Sequence, residues 1–218
     1  MKPVGVVRFL GTNCDQDVYD AIESVGLEPK WLWYQDQFDV HDVSAVILPG
    51  GFSYGDYLRS GALAARAPVM KSVTSASRFG LPVLGICNGF QILCEARLLP
   101  GVLLRNDSLR FRDEWVELKE VNEAPGFMNV KGSIRLPIAH GDGRYFIEED
   151  QVKRLFDEGQ VWWQYENNPN GSLERIAGVL NEEKNVAGLM PHPERAMSTE
   201  MGGSDGKKFF ESLLGAVK

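Results

Sequence analysis

The segment Pro82-Val83-Leu84-Gly85-Ile86-Cys87-Asn88-Gly89-Phe90-Gln91-Ile92-Leu93 constrains this chain more than any other. A short apolar run stops at a cysteine followed by Asn-Gly, and a helix-forming stretch begins at once. That order predicts a buried strand, a sharp turn, and a helix whose first turn lies behind the sulfur. Gly85 and Gly89, placed symmetrically about Cys87, remove side chains that would collide in so tight a turn. A helix N-terminus presents unpaired N–H groups and partial positive charge, which favour thiolate over thiol. The competing reading is an inert packed cysteine, the commoner fate of this residue type. Cys94 in the same helix and Cys14 in the loop Gly11-Thr12-Asn13-Cys14-Asp15 are read in that way.

A reactive thiol needs a base, and Gly188-Leu189-Met190-Pro191-His192-Pro193-Glu194-Arg195 offers one. Prolines on both sides of His192 hold the backbone extended. Side chains two apart then share a face, which sets Glu194 beside His192. A carboxylate there orients the ring and stabilises imidazolium, leaving the other nitrogen to take a proton from the thiol. His140, in Ala139-His140-Gly141-Asp142-Gly143-Arg144-Tyr145, is a rival base. The glycine between it and Asp142 orients that pair poorly, so His192 is favoured.

The first half of the chain alternates. Val4 to Phe9 reads as a strand, and a helix follows with Val18, Ala21, Ile22 and Val25 on one face, ended by Gly26. Trp31 to Tyr34 and Ala45 to Leu48 are further strands, and a helix is expected from about Ala62 to Arg78 before the strand that ends at Cys87. Such alternation predicts an α/β fold with a parallel sheet and helices on both faces. Active sites in these folds gather at the carboxyl ends of the strands. Both Pro49-Gly50-Gly51 and Cys87 fall there. After Pro100-Gly101, strands are expected near Val102–Arg105, Trp115–Val121, Ser133–Ala139, Val161–Tyr165, Arg175–Leu180 and Val186–Leu189. They extend the same sheet with antiparallel strands. A closing helix runs from about Asp205 to Val217, with Phe209, Leu213 and Val217 on its apolar face. One α/β domain over residues 1–218 accounts for this pattern better than two. Trp162-Trp163 and Trp31-x-Trp33 are read as core.

Attack by a thiolate on an amide puts negative charge on the carbonyl oxygen, which backbone N–H donors must meet. The N–H of Asn88 is the natural first donor. Gly51 supplies the second, with Gly50 freeing the close approach of the loop. Gln91, one helical turn past Cys87, either reaches the substrate or serves as a structural amide.

Composition excludes several alternatives. A hydrophobic content of 44% over 218 residues is ordinary for a soluble globular protein. A net charge of −7 argues against a nucleic-acid or anionic-membrane partner. Three cysteines without regular spacing describe neither a disulfide framework nor a metal site. No stretch approaches the ~18 apolar residues of a membrane helix, and the N-terminal apolar run is too short for a signal peptide. A cytoplasmic location is expected. The phosphate-binding pattern Gly-x-x-x-x-Gly-Lys-Ser/Thr is absent, so activation of an acceptor with ATP falls to another polypeptide.

Pro49-Gly50-Gly51, the Gly-x-Cys-x-Gly-x-Gln turn from Gly85 to Gln91, and the late Pro191-His192-Pro193-Glu194 resemble, in that order, the marks of class I (triad) glutamine amidotransferases. Gly50-Gly51-Phe52-Ser53-Tyr54-Gly55-Asp56-Tyr57-Leu58-Arg59-Ser60-Gly61, Ala139 to Tyr145, Asn168-Pro169-Asn170-Gly171-Ser172 and Met190 to Arg195 narrow the resemblance. They point to the PurQ family, the stand-alone glutaminase subunits of phosphoribosylformylglycinamidine synthase in purine biosynthesis. The resemblance implies a Cys87–His192–Glu194 triad, L-glutamine as substrate, and no cofactor or metal on this chain. It also implies two partners: a large synthetase subunit that uses ATP and magnesium, and a small bridging subunit. Ammonia would pass through a channel to formylglycinamide ribonucleotide. Two other classes stay open at this point, a DJ-1-like cysteine hydrolase or peptidase and a non-catalytic binding subunit.

Overall fold

The computed structural model describes residues 2–124 and 132–216. Its centre is a nine-stranded sheet. β1 (Val4–Arg8), β2 (Pro29–Trp33), β3 (Ala45–Leu48) and β4 (Val83–Ile86) come from the first half of the chain. β6 (Arg112–Glu120), β7 (Ser133–His140), β9 (Val161–Tyr165), β10 (Ile176–Leu180) and β11 (Val186–Leu189) come from the second. The order is β2-β1-β3-β4-β11-β10-β9-β6-β7. The strands from β2 to β11 run parallel, and from β10 onward each pairing is antiparallel.

Burial follows from this topology. Every residue of β3, β4 and β11 is buried, as parallel strands covered on both faces require. β7, at the antiparallel edge, alternates exposed and buried residues over its first half, with one face toward the core. Trp162 and Trp163 are fully buried and pack with Phe209, so the core reading of that pair holds. Among the described residues, no helix is long and apolar enough to cross a membrane.

The helices are α1 (Asp15–Ser24), α2 (Val69–Arg78), α3 (Asn88–Glu95), α4 (Glu149–Asp157) and α5 (Asp205–Ala216). Several differ from the sequence expectation. α2 starts at Val69 rather than near Ala62. Pro68 has no N–H to give and holds Ala67 extended, at φ −63° and ψ 149°. The residues before it manage only a 3-10 turn, Ala64–Arg66. α4 was not among the expected elements, although Val152, Leu155 and Phe156 recur at helical spacing and meet the core. β5 (Val102–Leu104) leaves the main sheet and pairs with β8 (Arg144–Phe146) in a separate two-stranded ribbon. β6 begins three residues before Trp115 because the charged Arg112–Glu114 stretch still finds partners in β7. The apolar face assigned to α5 holds for Phe209 and Leu213, both buried; Val217 lies outside the described residues.

Candidate active site

β4 and β11 are neighbours in register, Ile86 beside Leu189. The residues that follow each strand are therefore delivered to one place. Cys87 donates its N–H to the Leu189 carbonyl at 2.8 Å and turns at φ 50°, ψ −105° into α3. A side chain with positive φ is unusual outside glycine and is tolerated where surrounding structure over-determines it. The determinants here are two glycines. A Cβ on Gly89 would overlap the Leu48 carbonyl, and one on Gly85 would lie 2.6 Å from the Gly89 backbone. The first turn of α3 thus packs backbone against backbone on β3 and β4. Cys87 is 5% exposed, and its Sγ faces the Ala139 carbonyl at 3.8 Å.

His192 follows β11 and is anchored by its N–H to the Pro137 carbonyl at 2.8 Å. Its backbone is extended, but Glu194 lies in a 3-10 turn, Pro193–Arg195, opened by Pro193. The two side chains meet through this turn and not along an extended strand. His192 Nδ1 and Glu194 Oε1 are 2.6 Å apart, with both side chains almost wholly buried. Among the described residues, Nε2 of His192 has no hydrogen-bond partner. Burial alone would depress this imidazole. The Glu194 carboxylate, then the Cys87 sulfur and contacts with Cys14 and Cys87, hold its pKa well above the ordinary value.

Gly50 is where these groups converge. A Cβ there would lie 2.8 Å from His192 Cε1, 3.2 Å from Cys14 Sγ and 3.3 Å from Cys87 Cβ. Gly51 has φ 138° and forms an isolated bridge with Thr12. The Gly50 carbonyl accepts from the Cys14 N–H at 3.3 Å. In a trans peptide this points the Gly51 N–H the opposite way. The N–H of Asn88 opens α3 and so has no intrahelical acceptor.

Gln91 and Asn88 are both buried and joined, Asn88 Nδ2 donating to Gln91 Oε1 at 2.8 Å. Gln91 Nε2 donates to the Asp142 carbonyl at 2.6 Å, so both ends of this amide are engaged within the protein. His140 is buried in an amide cage. Asn106 Oδ1 accepts from the Gly143 N–H at 3.0 Å and lies 3.1 Å from His140 Nδ1, which makes Nδ1 the protonated nitrogen. Asn170 Nδ2 approaches Nε2 at 3.5 Å. Burial, with the nearby His192 adding to it, lowers the His140 pKa to about 4. A neutral ring with both nitrogens occupied is poorly placed to compete with His192.

Sequence reasoning placed Cys14 with the structural cysteines, yet it adjoins the pair. Its Sγ and the ligand atoms of His192 and Glu194 all lie within 4.8 Å of one another, and Arg195 Nη2 donates to it at 3.1 Å. Burial raises its pKa against the lowering effect of His192. The signal was available: Cys14 follows β1 at the carboxyl edge of the sheet. Cys94 is a packed thiol, its Sγ 3.7 Å from the Pro100 carbonyl, with burial pushing its pKa well up.

A CobB/CobQ-like glutamine amidotransferase domain model matches residues 2–204. The chain is 49% identical, over 215 residues and 97% of both sequences, to phosphoribosylformylglycinamidine synthase subunit PurQ of Prochlorococcus marinus (strain MIT 9312). It also superposes on a chain of the solved PurLQS structure from Thermotoga maritima with a TM-score of 0.91 and 50% identity, covering all of both chains. A glutamine amidotransferase of Thermotoga maritima, 16% identical, shares the fold at a TM-score of 0.63 over 99% of this chain and 96% of that one.

Proposed function

Since the chain belongs to the glutamine amidotransferase family, among the PurQ subunits of phosphoribosylformylglycinamidine synthase, we infer that Cys87, His192 and Glu194 are the groups by which it hydrolyses glutamine. The protein is the glutaminase subunit of that synthase, and it works with the PurL and PurS subunits. The observation that carries the site assignment is the buried 2.6 Å His192–Glu194 contact beside a cysteine at φ 50°.

The Cys87 thiolate attacks the carboxamide carbon of glutamine. Negative charge develops on the carbonyl oxygen and is met by the N–H groups of Gly51 and Asn88. As the intermediate collapses, imidazolium His192 gives its proton to the departing nitrogen, which leaves as ammonia. The neutral ring then takes a proton from water, the resulting hydroxide attacks the γ-glutamyl thioester, and glutamate leaves as the thiol is restored. Glu194 keeps the ring oriented and stabilises its charged form. Gly50 leaves room for the imidazole, and Gln91 braces the Asp142 carbonyl. Ammonia passes to the synthetase subunit, where ATP and magnesium serve the conversion of formylglycinamide ribonucleotide to formylglycinamidine ribonucleotide. This chain itself calls for no metal or cofactor, and one amidotransferase domain working in the cytoplasm fits the reading.

Cys87→Ala is expected to abolish glutamine hydrolysis and labelling by a glutamine-analogue electrophile. Synthesis by the assembled enzyme supplied with ammonia should continue. Retained hydrolysis in the alanine variant would sink the assignment.

A further inference from the structure

Glutamine hydrolysis by the triad leaves Cys14 without a part, although the loop after β1 sets it against the catalytic pair. It caps α1 and is 3% exposed. Its Sγ, a ring nitrogen of His192 and a carboxylate oxygen of Glu194 all lie within 4.8 Å of one another. Thiolate, imidazole and carboxylate are donors of zinc, which in sites with three protein ligands completes its tetrahedron with water. Arg195 Nη2 donates to Cys14 Sγ at 3.1 Å, and the start of α1 adds partial positive charge. Both favour the thiolate that a metal ion requires. Asp17 Oδ2, 3.2 Å from Arg195 Nε, offsets the charge that the guanidinium brings near the cluster.

A second observation points the same way. Among the described residues, two polar atoms of this cluster are buried without a hydrogen-bond partner, His192 Nε2 and Glu194 Oε2. Buried polar atoms left in that condition call for an explanation, and a bound ion supplies one. Space adjoins them because Gly50 has no side chain. A Cβ there would lie 2.8 Å from His192 Cε1 and 3.2 Å from Cys14 Sγ. Those separations are too short for a carbon atom, yet longer than zinc's own bonds of about 2.0–2.3 Å.

We propose that Cys14, His192 and Glu194 form a binding site for zinc, and that the ion switches off glutamine hydrolysis by taking the imidazole out of proton transfer. Binding displaces the protons of the Cys14 thiol and of the coordinated ring nitrogen, with no change of oxidation state. The inhibitory role rests on the glutaminase reading above; the ligand set does not. Magnesium prefers oxygen donors and is held poorly by sulfur and nitrogen. The site therefore separates the cation that serves the synthetase from one that stops the supply of ammonia.

The test follows glutamine hydrolysis by the assembled enzyme as zinc is raised in a metal-buffered solution. The wild type is expected to lose activity, to regain it with a chelator, and to be indifferent to magnesium at far higher concentration. Cys14→Ser should raise the zinc concentration for half-inhibition by at least about tenfold, the effect of losing even an outer partner of a metal ligand. Each enzyme is scored against its own zinc-free rate. Equal inhibition of the two would put the ion on Cys87 and His192 alone and overturn the site. Cobalt(II) tests the ligands without turnover. The inactive Cys87→Ala variant should show thiolate-to-cobalt charge-transfer absorption, and Cys14→Ser/Cys87→Ala, which retains Cys94, should not. Absence of the band from the first variant, or its persistence in the second, would overturn the ligand set. A wild type that hydrolyses no glutamine even without zinc would sink the glutaminase reading and the inhibitory role, while the cobalt spectra would still decide the site.

Discussion

Cys87 holds a backbone conformation, φ 50° and ψ −105°, that a glycine adopts without penalty and a cysteine does not. Strain of this kind costs on the order of 1–3 kcal/mol. Two variants that both lack the thiol isolate it. Cys87→Gly is expected to be more stable to urea than Cys87→Ala, by about 1 kcal/mol, with both inactive. Equal stability would show that the turn is relaxed. If His192 and Glu194 act as one unit, as proposed, His192→Ala and Glu194→Ala should each cost orders of magnitude in kcat. The double variant should be little worse than His192→Ala alone, and multiplicative losses would give Glu194 a separate role. His140 yields a prediction of the opposite kind. Its folded pKa of about 4 lies below the ordinary 6.5, so between these values the unfolded chain takes up the proton first. Stability is therefore lost as pH falls from about 6.5 toward 4, by about 3 kcal/mol in total. The imidazole NMR signals check this directly, since that of His140 should stay in its neutral position down to about pH 5.

At the scale of elements, the site depends on how closely loops and strands approach. A Cβ at position 50 meets the tip of an imidazole ring, whereas one at position 89 meets the Leu48 backbone. Gly50→Ala is expected to fold, by circular dichroism and thermal melting, and to lose most glutaminase activity. Gly89→Ala should fail to reach the native state, because a backbone carbonyl on a central strand has nowhere to go. These two glycines were visible in the sequence because their spacing about Cys87 and along the Pro-Gly-Gly loop is fixed by local sterics. Other features were not. The start of α2 depended on Pro68, which outweighs the helix-forming residues before it. β8, three residues with Tyr145 alone buried, is too short to leave a periodic signal. Cys14 was read as structural although it follows β1, because its loop, the Pro-Gly-Gly loop and the Cys87 turn lie far apart in sequence. Only the parallel order of β1, β3, β4 and β11 brings those loops to one edge.

At the scale of the whole molecule, the ammonia that a glutaminase subunit makes is useful only where a second subunit can consume it. A glutaminase active on its own would waste glutamine. The isolated subunit is expected to hydrolyse glutamine slowly, and assembly with the synthetase, acceptor and nucleotide should raise kcat by about tenfold or more, as in enzymes whose loops close on assembly. The Gly50-Gly51 loop is the part expected to respond. Its neighbours Tyr57 and Leu58 are 75% and 87% exposed, and Leu58 holds a positive φ of 71°. Equal rates for the free and assembled subunit would show that the site is preformed.

The place of β11 between β4 and β10 also bears on how the protein is born. Translation delivers Cys87 well before the strand that will lie beside it, and at ~5–20 residues per second the interval to His192 is roughly 5–20 s. Until β11 slots into the sheet, the nascent chain carries a thiol with no base, and the Leu189 carbonyl that fixes its turn does not yet exist. Ribosome-bound chains halted before that strand are therefore chemically silent toward glutamine. The order of synthesis withholds the activity until β11 and the His192 turn that follows it have been made.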